Sequence, residues 1–216
     1  MFKHSILIKT LAIIFIIQLL IAVFPAYSKN IAYEKIIKQI QNTLNCESST
    51  AKKIFNIINM FADDIQSIIS LIASSSNSNK FNERYIKEVV QQYFESEKSI
   101  VQVSSRSREN ITTYFIKEYF YHLKNLKQKY GYTKVELTFD PEYLGMSKFE
   151  KVGRNKYELS VCMWQLFSGY VDDFEIYNDA TRKKFRFMFR KIDNTLTVSI
   201  DQICVAETIS KKRYLN

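Results

Sequence analysis

The chain has 216 residues, 46% of them apolar and 25% charged, with 14 Tyr and 16 Phe. That composition excludes a disordered or fibrous protein and is ample for one hydrophobic core. The net charge of +9 favours an anionic lipid surface or an acidic partner, and no Lys/Arg run is dense enough to indicate nucleic acid.

The first 28 residues read as a cleavable signal peptide. Lys3 and Lys9 make a basic start, Leu11 to Phe24 form an apolar run of 14 residues, and Ala26-Tyr27-Ser28 offers a small-x-small cleavage site before Lys29. With Gln18 inside it, the run falls short of the roughly 20 apolar residues that span a bilayer. Export to the periplasm or the medium is expected, and cleavage would lower the net charge to +7. Residues 29–78 follow as a helical segment. Ile31, Ile36, Ile37, Ile40 and Leu44 recur at helical spacing, and Ser49 or Thr50 can cap a second helix whose isoleucines from Ile54 to Ile72 share a face. The polar stretch Ser74 to Asn79 then ends the segment.

Residues 79–216 are expected to form an α+β domain. A helix is predicted over Asn82 to Ser96, a short strand at Ile100 to Val103, and a long aromatic helix from Ser107 to Lys129 carrying Tyr114, Phe115, Tyr119 and Phe120. Beyond Gly131 the apolar period switches to two, which predicts antiparallel strands. Val135, Leu137 and Phe139 alternate with polar residues, and a loop runs through Pro141 and Gly145. Lys156 to Ser168 is apolar on both faces, as a strand covered on both sides would be. Phe185, Phe187 and Phe189 alternate with Lys184, Arg186 and Arg190; an Asp193-Asn194 turn then leads to Leu196, Val198 and Ile200, predicting a hairpin.

Chemistry-bearing residues are few. His122 is the only histidine beyond the signal peptide and sits among aromatics and lysines, which reads as a structural histidine; a His-rich metal cluster is excluded. Four glycines supply no phosphate-cradling loop. Asp201 and Glu158 are carboxylates on predicted strands, and a bulge at Asp201 would turn it to solvent. The pairs Asp63-Asp64 and Asp172-Asp173 lack the further ligands that a cation site needs. Cys46, Cys162 and Cys204 allow one disulfide or none: Cys162 and Cys204 fall on predicted strands that could meet across a sheet, and equally could be small buried hydrophobes. No catalytic residue, cofactor or metal is assigned.

Three segments carry a family resemblance: Ile100 to Ser105 before the aromatic helix, Trp164 to Tyr170, and Tyr177 to Lys183. Between about Phe81 and Thr208 the chain resembles exported NTF2-like proteins of Bacteroidetes-type bacteria. The resemblance implies N-terminal helices followed by a curved, mostly antiparallel sheet that forms a cone. In that cone Gly169 would bend a strand and Asp179-Ala180-Thr181 would turn into the next one. It implies a conical pocket, for which Phe115, Tyr119, Trp164, Phe185, Phe187 and Phe189 are the candidate lining. The expected function is non-enzymatic binding of an apolar small molecule or lipid, or of an envelope protein partner. Alternatives are homodimeric assembly within an envelope complex, or an isomerase- or hydratase-like enzyme using a pocket carboxylate.

Overall fold

A computed structural model describes residues 33–74, 83–106, 108–142, 147, 149–192 and 195–215. The signal peptide, most of the polar stretch after Ser74, Gly145 and the Asp193-Asn194 turn lie outside the described residues. Among the described residues, no helix is long and apolar enough to cross a membrane.

Helix α1 (residues 33–44) buries Ile36, Ile37 and Ile40. Helix α2 (Ser48–Ser74) runs for 27 residues and buries Ile54, Ile58, Ala62, Ile65, Ile69 and Ile72 at three- and four-residue intervals, leaving Met60 and Leu71 on its outer side. It packs on the sheet, where Gln66 Oε1 accepts the Phe139 N–H at 2.7 Å. Helix α3 (Glu83–Tyr93) follows with Ile86, Val89 and Val90 inward.

Next come β1 (Ile100–Ser105) and β2 (Arg108–Phe115), paired antiparallel, with Ile100 opposite Phe115 and Val103 opposite Thr112. The predicted aromatic helix is thus corrected: its first eight described residues are strand. Ile111, Thr112, Thr113 and Tyr114 are β-branched or aromatic, and a hairpin with β1 gives their backbone a ladder. Helix begins only at Ile116 as α4 (Ile116–Lys124), where Glu118 accepts the Phe115 N–H, and α5 (Leu126–Tyr130) continues after Asn125.

The remaining elements are β3 (Lys134–Glu142), β4 (Glu150–Gly153), β5 (Lys156–Val171), β6 (Phe174–Ile192), β7 (Thr195–Ile209) and a short α6 (Lys211–Leu215). The sheet order is β2-β1-β7-β6-β5-β3, with β4 on β5; every pairing is antiparallel except β1 with β7. The fold is therefore α+β with a mixed, largely antiparallel sheet, open at β2 and β3. Pro141, expected in a loop, lies inside β3 opposite Met163, a place an edge strand permits a residue without an N–H.

Alternation sorts the two faces. Leu159, Val161 and Met163 on β5, and Phe185, Phe187 and Phe189 on β6, are fully buried on the face that the helices cover. On the opposite face, Trp164 packs against Tyr214 of α6 at 5.1 Å, and Ser160 and Cys162 are also buried, so β5 is covered on both sides along part of its length, as the sequence predicted. Cys162 and Cys204 both pair with Lys184, from opposite sides. One strand therefore separates them, about 10 Å at ordinary strand spacing, beyond the reach of a disulfide. All three cysteines are free thiols.

Strand β6 starts ten residues before the predicted Lys184, and this overturns the turn expected at Asp179-Ala180-Thr181. Those residues are buried mid-strand, paired to Phe167, Leu166 and Gln165. Three bulges punctuate the pairings of β6 with its two neighbours: Ile176 is the extra residue on β6, and Asp201 and Ala206 are extra on β7.

Candidate functional site

The Phe185, Phe187 and Phe189 side chains fill the middle of the helix-covered face, so they form closed core and not the lining expected of them. Toward the Tyr177 end of β6, however, the same face opens into a cavity of about 380 Å³, within the range of small-molecule sites. Helices α4 and α5 contribute Tyr119, His122, Leu123, Leu126 and Tyr130. The β1–β2 hairpin supplies Val103, Ser104, Ser105 and Tyr114, and the sheet floor supplies Leu137, Gln165, Phe167, Tyr177 and Asp179. Tyr132 closes one side, stacked on Tyr130 and packed against Phe167.

Of the six expected lining residues, Tyr119 is on the wall; Trp164 is on the opposite face, and Phe115, at the end of β2, is 49% exposed. Asp201 sits on its bulge and pairs with Arg186, whose Nε donates to Oδ2 at 2.7 Å. It stays away from the cavity, as the sequence anticipated. Glu158, two residues along β5 from buried Ser160, is directed to the opposite face. His122 does face the cavity, its ring 4.3 Å from that of Tyr114.

The group that sequence reading missed is Asp179. It is 4% exposed, and its Oδ2 accepts the Tyr177 hydroxyl at 2.5 Å. Burial raises its carboxyl above the usual range, with the Tyr177 hydroxyl, Lys183 and Arg106 pulling the other way. Tyr177 is pushed up to about 12 by burial and then by the Asp179 carboxylate, while its oxygen accepts the Arg106 N–H at 3.0 Å. Burial also raises the Tyr119 phenol. Lys183, 2% exposed, donates from Nζ to the Gln102 carbonyl at 2.6 Å, and burial depresses it to about 8.

These groups collect where β1 leaves β7. The two strands pair only at Ile100–Gln202 and Val101–Ile203, after which side chains bridge them. Gln102 Oε1 accepts the Val205 N–H at 3.0 Å, and Ser104 bonds Thr208, which also meets Thr181 at 3.2 Å. The alternation was readable: Tyr177, Asp179, Thr181 and Lys183 continue the odd-numbered series of Phe185, Phe187 and Phe189. Reading that series upstream places a carboxylate on the core-facing side.

The arrangement offers an aromatic slot with one acidic hydrogen-bonding corner. Among the described residues, no cluster of three or more His, Cys, Asp or Glu is placed to hold a metal ion.

No family model and no curated protein matches the sequence. Among solved structures, the chain is similar to one provisionally assigned as a scytalone dehydratase from Novosphingobium aromaticivorans, at 10% identity and a TM-score of 0.35, covering 72% of this chain and 89% of that one. A type 2 hexachlorocyclohexane dehydrochlorinase (LinA) gives 11% identity and a TM-score of 0.36, over 73% and 92%. A structure provisionally assigned as an aromatic ring hydroxylase from Novosphingobium aromaticivorans gives 10% and 0.38, over 79% and 99%. Likenesses at this level carry no argument about what this chain binds or does.

Proposed function

We propose that this chain is an exported NTF2-like protein that binds a small, largely apolar ring compound in the cavity between α4, α5 and the Tyr177 end of β6. The observation that carries the reading is the cavity itself: about 380 Å³ left open beside a fully packed phenylalanine core, its walls combining ring side chains such as Tyr119, Tyr132 and Phe167 with Val103, Leu123, Leu126 and Leu137. A ligand that places a hydroxyl or amine against Asp179 gains a hydrogen bond to a carboxylate that is largely desolvated already. Native mass spectrometry of the protein purified from its host tests the reading, with titration of the neutral fluorophore N-phenyl-1-naphthylamine alongside. A mass excess lost on denaturation, or fluorophore binding abolished by Leu137→Trp, supports it. A clean protein mass together with no fluorophore binding refutes it.

Asp179 also favours a second reading, proton transfer at a bound carbonyl compound. A buried carboxyl whose affinity for protons is raised above the ordinary range is a stronger base than an exposed one, which suits it to take or return a proton. Exchange of the α-hydrogens of 2-cyclohexenone into deuterated water, followed by proton NMR, checks this. The reading requires catalysed exchange that Asp179→Asn removes, and exchange at the buffer rate rules it out.

A further inference from the structure

Asp179 and Lys183 are the two buried charged side chains among the described residues, and they lie on the same face of one strand with Thr181 between them. An ammonium walled off from water is costly unless something compensates it. The hydrogen bond that Lys183 Nζ donates goes to the neutral Gln102 carbonyl, which is weak compensation for a full charge. An apolar residue would continue the Phe185 to Phe189 series at lower cost, so a lysine here calls for a countercharge. Among the described residues, Asp179 is the only buried carboxylate.

We propose that Lys183 is a positioning residue for the cavity, its buried ammonium anchored on β1 so that Asp179 faces the ligand as a carboxylate and therefore as a hydrogen-bond acceptor. This rests on the reading of the cavity as a ligand site only for the use to which the carboxylate is put. The surroundings are consistent with it. Asp179 is met by Tyr177 on its own strand, by Arg106 at the β1–β2 turn and by Tyr132 before β3, while Tyr119, His122, Lys129 and Tyr130 look onto the same cavity from α4 and α5. Lys183 bonds the Gln102 carbonyl and lies within the electrostatic reach of Asp179 and of Cys204 on β7. Arg106 is exposed and its charge is screened, which leaves Lys183 as the cation acting on Asp179 from within the protein. Its depressed proton affinity is what a buried ammonium held by a single remote carboxylate shows.

The test is a carbon-13 NMR titration of the Asp179 carboxyl carbon, assigned by its loss in Asp179→Asn. In Lys183→Met the titration midpoint is expected to rise, because an opposite charge that favours the ionised carboxyl is removed. In the native protein the same carbon should show a second inflection near pH 8, where Lys183 loses its proton, and this inflection should survive His122→Gln. The native titration alone decides the matter if Lys183→Met does not fold. An unchanged midpoint in Lys183→Met, or a native carbon with a single inflection, overturns the proposal. Fluorophore binding is read separately: a shifted midpoint without binding refutes the ligand site and keeps the coupling, and binding with an unshifted midpoint does the reverse.

Discussion

Replacing Gly169 by alanine drives a methyl group into the ring of Tyr132. A Cβ at this position would lie 2.5 Å from Tyr132 Cε1, 2.6 Å from Cζ and 3.0 Å from Cδ1. Carbon atoms pack best at about 3.5–4.0 Å, so the ring must retreat by about 1 Å. It cannot swing freely, because it is buried between Tyr130 and Phe167. Overpacking of this kind costs about 1–3 kcal/mol, which at a slope of about 2–3 kcal/mol per M lowers the urea midpoint by roughly 0.5–1 M. Since Tyr132 walls the cavity, N-phenyl-1-naphthylamine affinity should fall as well. A double-mutant cycle isolates the contact: in a Tyr132→Ala background, Gly169→Ala should cost less than about 0.5 kcal/mol. An equal loss in both backgrounds would mean that the bulge beside Gly169, and not the ring, demands glycine, and the reasoning would fail.

Glu95 joins the end of α3 to three strands, accepting from Ser199 at 2.7 Å, from Lys156 at 3.3 Å and from Arg190. Burial pulls its carboxyl up, but the hydrogen bonds from Ser199 and Arg190, the Arg190 charge and the Lys156 bond outweigh it and hold the group below its ordinary value. A depressed folded-state value means stability that is full above about pH 4.5 and is lost as pH falls through the folded value. Glu95→Gln should therefore cost on the order of 2 kcal/mol at pH 7 in urea denaturation, and the gap to the native protein should narrow as pH drops below 4.5; a gap independent of pH would contradict the charge assignment. Asp179 carries the opposite sign. Its raised value means that ionisation works against folding at neutral pH, so Asp179→Asn should melt at or above the native temperature at pH 7, with the advantage fading as pH falls toward the ordinary carboxyl range. A lower melting temperature at pH 7 would show that the Tyr177 bond matters more than desolvation. For the cysteines, alkylation in denaturant without reductant should label all three thiols of an oxidised sample, and a single label would place a bridge where the strand register forbids one.

Much of this architecture was legible in order along the chain. The isoleucine stripe of α2, the period-two runs of β3, β5 and β7, and the Phe185 to Phe189 series are local signals, because burial on one face imposes its own repeat on the residues that supply it. The bulge at Asp201 was legible for a related reason: a charged residue that directly follows three core-facing ones needs a break in register to reach water. Where reading failed, two local descriptions competed. Residues 108–115 carry aromatics that suit either helix or strand, and pairing with β1 decided between them. The Tyr177 to Lys183 segment has turn-like composition, and only its partners on β5 and β7 make it a strand.

The sequence by itself determined that helices precede a largely antiparallel sheet, which residues of each strand share a face, and that the phenylalanines of β6 belong to the interior. Tertiary structure alone decided that those phenylalanines fill their space completely, while the same face stays open farther along β6, and that Asp179 and Lys183 are both buried on that face. Periodicity reports which side of an element is buried. Whether that side is filled depends on how far α4, α5 and the β1–β2 hairpin stand from the sheet, and that distance is set by contacts between residues remote in sequence.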